Sequence, residues 1–209
     1  MDSREDWRRF AALQIDFSAI QLEPQDQEPY FCTPEGAEII GWCNGIHFIL
    51  LPGDEAVYCV SPEMGEEGTF VLPVAGDFRE FLSFLLYCRG ASVLEQIAWF
   101  SREQIEDLLR EDRDCEARGE LPEYYEAQRQ ALRTIEEAFS LDPREPYEQV
   151  KALQKAFDTS VLTFSDEYYE VLGLENPREV EAEPARPEER GGEQAAFCVE
   201  FSFPEKERE

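Results

Sequence analysis

Leu72-Pro-Val-Ala-Gly-Asp-Phe-Arg-Glu-Phe-Leu-Ser-Phe-Leu-Leu-Tyr-Cys-Arg-Gly90 decides how this chain is assembled. Phe78, Phe81, Leu82, Leu85 and Leu86 recur at i, i+3, i+4, i+7 and i+8, the spacing that lines one face of a helix, so the stretch predicts a core helix over 77–89. Asp77 is placed to cap its first turn, and Glu80, three residues on, completes a capping box. Arg89 suits the negative end of the helix dipole, and Gly90 suits a left-handed terminator.

Upstream, residues 30–72 have the texture of an antiparallel meander. Tyr30–Cys32, Ala37–Cys43, Ile46–Leu51, Ala56–Val60 and Thr69–Leu72 are short β-rich runs separated by turn signals. Asn44-Gly45 is the strongest of these signals, because both residues tolerate the positive φ angles of a type I′ hairpin. The strands are nearly continuous apolar runs, which predicts helices on one face and at least partial cover on the other. The helix at 77–89 is the obvious cover. Before the sheet, Trp7, Phe10, Ala11 and Leu13 give residues 3–14 the apolar side of a short helix, and Gln21 to Pro29 reads as loop.

Downstream, Ser92/Glu95 and Ser101/Gln104 repeat the capping-box spacing and predict a broken helical run to about Asp112. Glu111 to Glu120 is charged enough to be a loop or a frayed end. Pro122 suits a first helical turn ahead of Tyr125, Leu132, Ile135 and Phe139. Asp142-Pro143 ends that helix, and Pro146 starts another through Tyr147, Val150, Leu153, Ala156 and Phe157, the pair making a helical hairpin. Val161–Phe164 is strand-like, and Ser165–Leu172 is a short capped turn. The expectation is an α+β fold: one domain over 1–174, an exposed or disordered linker over 175–194, and a late edge strand over 195–203 returning to the sheet.

Composition narrows the function classes. The 19 Lys+Arg against 47 Asp+Glu give a net charge of −28, a field that repels nucleic acid and anionic membrane and favours a basic protein partner or simply high solubility. No apolar run approaches the roughly 20 residues needed to span a bilayer, and the acidic start of the chain has no signal-peptide core, so a cytoplasmic location is expected. The cysteines at 32, 43, 59, 88, 115 and 198 have no metal-type spacing and read as buried, reduced thiols.

Little in the sequence points to chemistry. His47 is the only histidine, so any histidine-dependent mechanism must run through it, yet it sits in an apolar strand beside a hairpin turn. The paired carboxylates are too numerous to single out a catalytic pair, and Gly191-Gly192 lacks the context of a phosphate loop. No residue is therefore assigned a catalytic or metal-binding role, and no cofactor is expected. The candidate partner-binding residues are Asp54, Glu55, Glu63, Glu66 and Glu67 on the hairpin loops, with Trp42 as an aromatic anchor. The competing reading is a small-ligand-binding protein or hydrolase whose carboxylates converge in a cleft near His47. A third, nucleic-acid mimicry, needs acids along one ridge and is disfavoured by their even spread.

Phe48–Leu51, Ala56–Pro62 and then Val71-Leu-Pro-Val-Ala-Gly-Asp-Phe-Arg-Glu-Phe-Leu82 resemble the later half of the SUKH superfamily, in which the last strands lead through a "pVA.sF.eFL" phrase into a helix packed on the sheet. The resemblance covers about residues 37–90. It implies a non-enzymatic interaction module, as in bacterial immunity proteins that neutralise toxins and in scaffold proteins of signalling networks. Val150–Asp158 and Asp166–Tyr169 are similar to parts of uncharacterised Firmicutes proteins.

Overall fold

The computed structural model describes residues 2–24, 28–63 and 70–178. The chain divides into a compact unit ending at Leu174 and a second beginning at Glu175, of which residues 175–178 are described. Residues 179–194 of the linker expected over 175–194, and the strand expected over 195–203, lie outside the described residues.

The fold is α+β, built on a four-stranded antiparallel sheet in the order β1-β2-β3-β4: β1 Glu38–Cys43, β2 Ile46–Leu50, β3 Val57–Val60 and β4 Val71–Ala75. Asn44 (φ 44°) and Gly45 (φ 85°) close the first hairpin in the left-handed conformations that a type I′ turn requires, setting Trp42 opposite His47. The β1 register shifts between Ile39 and Gly41. At Gly41 the side chain of Leu22 occupies the space a Cβ would need, and Glu23 exchanges two 2.9 Å backbone bonds with Trp42, so residues 22–23 cover part of the β1 edge.

Helix α1 (Ser3–Ala11) and helix α2 (Phe78–Cys88) pack on one sheet face. Asp77 caps α2 by accepting from the Glu80 backbone N–H at 2.8 Å. Glu80 reaches back one residue further than the capping box predicts, accepting from the Gly76 N–H at 2.8 Å. The terminator is also displaced. Arg89, at φ 64°, takes the left-handed position, while Gly90 lies where a Cβ would come within 2.6 Å of Gln21 Oε1, the far end of a flexible side chain. Phe10, Phe48, Phe78 and Phe81 are fully buried and interlock, with ring centroids 5.2–5.8 Å apart at the Phe48–Phe81, Phe10–Phe78 and Phe78–Phe81 contacts. Each such ring contributes roughly 1.5–3 kcal/mol by leaving water.

Four further helices follow: α3 Ser92–Gln96, α4 Arg102–Ala117, α5 Pro122–Phe139 and α6 Tyr147–Ala156. The capping box at Ser101/Gln104 forms in full, and Pro122 starts α5. The one predicted at Ser92/Glu95 does not: the Ser92 hydroxyl donates to Gln21 Oε1, and Glu95 accepts from Ser61 and Trp99. Charged residues 111–117 stay helical, because Arg89 and Arg129 draw Glu116 into ion pairs on the inner side of α4. Among the principal packing partners, α5 lies against α2 and a 3₁₀ turn at Ser18–Ile20, whereas α6 lies against β4. The expected α5/α6 hairpin is therefore replaced by two separate dockings.

The other sheet face is covered by irregular chain and by α7 (Asp166–Leu172). Ile49, Tyr58 and Val60 meet Phe157, Phe164 and Tyr168 there, with Phe164 stacked on Tyr168 at 4.0 Å. Neither Tyr30–Cys32 nor Val161–Phe164 is a strand. The latter runs from a 3₁₀ turn at Thr159–Val161 into extended chain, whose Thr163 C=O accepts from Glu35 N–H at 2.8 Å. No helix among the described residues is long and apolar enough to cross a membrane.

Candidate functional site

The β1/β2 hairpin and the 28–36 segment meet at a cluster of three rings. Trp42 and His47 face each other across the hairpin with centroids 4.5 Å apart, and Tyr30 lies 4.9 Å from His47 and 5.3 Å from Trp42. His47 is fully buried, and its Nε2 is 3.1 Å from Thr33 Oγ1. Burial pulls its pKa down to about 4, so the ring is neutral near pH 7. His47 Nδ1 and Trp42 Nε1 are both buried without a hydrogen-bond partner among the described residues. His47 is thus neutral, without solvent-exposed surface, and held by packing against the two neighbouring rings.

The thiols are equally quiet. Burial pushes Cys32 up to about 11 and Cys43 and Cys88 up to about 12, and raises Cys59 well above the ordinary thiol range, so they stay protonated and weakly nucleophilic. Those four are buried as expected; Cys115 is half-exposed, and Cys198 lies outside the described residues. Among the described residues no three His, Cys, Asp or Glu side chains gather as metal ligands would.

Two hollows flank Tyr30. The larger, about 560 Å³, is lined by Tyr30, Thr33, Glu35, Ile39, Ser165 and Glu167 together with small and proline residues of the 29–37 segment. The smaller, about 160 Å³, is walled by Gln21, Glu23, Trp42, Asn44 and Gly45 among others. The Tyr30 phenol is pushed above its ordinary pKa, by burial first and more weakly by neighbouring acidic groups including Glu63.

Comparison with family models, curated proteins and solved structures finds no match to this chain. The site therefore stands on its geometry.

That geometry redistributes the residues expected to bind a partner. Trp42 is only 5% exposed, clamped between Tyr30 and His47, and presents no anchor to an incoming surface. Asp54 accepts from Tyr58 Oη at 2.6 Å and from the Ala56 N–H at 3.0 Å, and these bonds hold its carboxyl below the usual range against the opposing effect of burial. Glu55 Oε2 accepts from the Ser3 N–H at 2.6 Å, fastening α1 to the β2–β3 turn. Asp54 and Glu55 thus each hold bonds within the fold. Glu63 is exposed, and Glu66 and Glu67 lie outside the described residues. Tyr30, which sequence reasoning put in a strand, and Thr33, which it left unassigned, are the residues that join His47 to the cleft. The Thr33-Pro34-Glu35-Gly36 run, which the sequence reading did not single out, carries the turn chemistry that could have marked them.

Proposed function

We propose that this protein is a non-catalytic, cytoplasmic interaction module whose acidic exterior engages a basic protein partner. The observation that carries this reading is the outer face of α4. Glu103, Glu106, Asp107, Glu111 and Asp114 are all exposed at three- and four-residue spacing, opposite the buried Ile105 and Leu109. Asp107 and Glu111 pair with Arg110 and Arg118, while Glu103, Glu106 and Asp114 stand outside these pairs. Set on a chain of net charge −28, such a face steers cationic proteins toward it and raises the rate of encounter more than the depth of affinity.

The resemblance to the SUKH superfamily supports the same class. Strand β4 passes through Pro73-Val74-Ala75 directly into α2, which packs on the sheet as that resemblance implies. An immunity-type role, neutralising a basic toxin, is the specific form of the proposal.

The test is capture by the immobilised chain from its native host and neighbouring cells at about 0.05 M and 0.2 M salt. Capture of an identifiable basic protein at the lower salt, weakened at the higher and abolished by the triple variant Glu103→Lys, Glu106→Lys and Asp114→Lys, is the expected result. Recovery of no protein, or capture indifferent to the triple variant, would overturn it.

A further inference from the structure

His47 is fully buried, and its neighbours among the described residues are uncharged. Trp42 faces it from β1, Val60 from β3, and Tyr30 and Thr33 from the 28–36 segment. The titratable groups about this contact are the Tyr30 phenol and, acting on that phenol, Cys32 and Glu63. Burial keeps the phenol and the Cys32 thiol protonated, and Glu63 is exposed. Cys43, next to Trp42 on β1, belongs to the cluster on the opposite sheet face, where Glu95 and Glu23 act on it. The titration of His47 itself is governed by burial, with no carboxylate acting to offset the charge of an imidazolium.

A protonated ring would carry an N–H at Nδ1, an atom with no partner among the described residues. The faces of Trp42 and Tyr30 attract a cation, but an ion withdrawn from water with a donor unmet is disfavoured more strongly. Uptake of the proton therefore favours a form in which water reaches the ring, and the 28–36 segment is the cover whose removal admits it. This segment contains no helix or strand. Its backbone is tied to neighbouring chain by Glu35 N–H, which donates to Thr163 C=O at 2.8 Å, while Thr33 N–H turns inward to Tyr30 C=O at 2.9 Å. The sheet beneath keeps its own ladder, and α1 and α2 pack on its other face, so lifting the segment leaves that core in place.

We propose that residues 28–36 are an acid-released cover: uptake of one proton by His47 lifts the segment from the β1/β2 hairpin and bares Trp42, while the sheet and the helices on its other face stay folded. The device is independent of any protein partner on α4, and its test shares no readout with the capture experiment.

The test follows amide exchange in the full-length ¹⁵N-labelled chain between pH 7 and pH 5, corrected for the intrinsic rate. With a histidine pKa of about 6.5 when open and about 4 when closed, the opening constant should rise about twenty-fold over that interval. Protection of the Thr33 and Glu35 N–H groups should fall by that factor. It should also be roughly a hundred-fold or more below that of Phe84 and Leu85 in α2 and unaffected by about 1 M urea, the mark of a local opening. His47→Gln, and His47→Phe as a second neutral replacement, should each hold Thr33 and Glu35 protection within about two-fold across the same interval. Exchange at Thr33 and Glu35 that depends on urea as steeply as exchange in α2 would overturn the proposal, by assigning the opening to global unfolding. An equal fall in the variants would overturn it in favour of carboxylate titration. So would wild-type protection that does not change with pH, a result that needs no variant to be read.

Discussion

The His47 ring packs against Tyr30 and Trp42 and, among the described residues, meets the Thr33 hydroxyl, and its folded-state pKa of about 4 is below the unfolded value of about 6.5. Between those values the unfolded chain takes up a proton that the folded chain does not, so stability is complete above the upper value and is lost as the pH falls toward the lower. The loss attributable to His47 is about 2 kcal/mol from pH 7 to pH 5. Urea melts of the wild type and of His47→Gln at those two pH values read it directly: the stability gap between them should narrow at pH 5, and a gap independent of pH would contradict the burial argument. At Gly41 the constraint is steric. A Cβ there collides with Leu22, and the Leu22 side chain is itself fully buried, so Gly41→Ala should cost about 1–3 kcal/mol in chemical denaturation. An unchanged midpoint would mean that Leu22 moves aside freely.

The elements are joined by a small number of polar contacts whose removal has a calculable direction. Ser3 illustrates this: its hydroxyl donates to Glu55 C=O at 2.7 Å and accepts from the buried Phe78 N–H at 3.0 Å, so one side chain pins α1 to both the β2–β3 turn and the start of α2. Ser3→Ala leaves that N–H without a partner and should destabilise the fold by about 1–3 kcal/mol, with amide exchange accelerated first in α1 and the first turn of α2. Elements of this kind were legible in the sequence where the signal is local. The apolar spacing of α2, the Asn44-Gly45 turn, the Ser101/Gln104 box and Pro122 at the start of α5 all act within a few residues, and each forms. Distant contacts explain the departures. Ser92 turns to Gln21, Glu95 to Ser61 and Trp99, and the charged end of α4 stays helical because Arg89 and Arg129 meet it. The candidate site was least legible for the same reason, since Tyr30, Trp42 and His47 come together only when the 28–36 segment folds over the hairpin. Trp42 looked like an anchor because the strand pattern predicts only partial cover of the second face and does not say which residues that cover reaches.

At the scale of the whole molecule the dominant quantity is the charge of −28. Like charges spread over one surface repel, and added salt screens them within about 10 Å at 0.1 M. Thermal stability should therefore rise as NaCl is increased from about 0.02 to 0.5 M, and a melting temperature that falls with salt would show that ion pairs such as those of Arg89 with Asp112 and Glu116 outweigh the repulsion. The same field underlies the proposed binding of a basic partner, where salt acts in the opposite direction. The most direct measurement is the association rate of the captured partner with the purified chain, taken as a function of ionic strength for the wild type and for the Glu103→Lys, Glu106→Lys and Asp114→Lys variant. The account predicts a wild-type rate that falls by at least ten-fold between 0.02 and 0.3 M salt, and a variant rate that is lower and nearly flat. A rate insensitive to salt and equal in both proteins would contradict it.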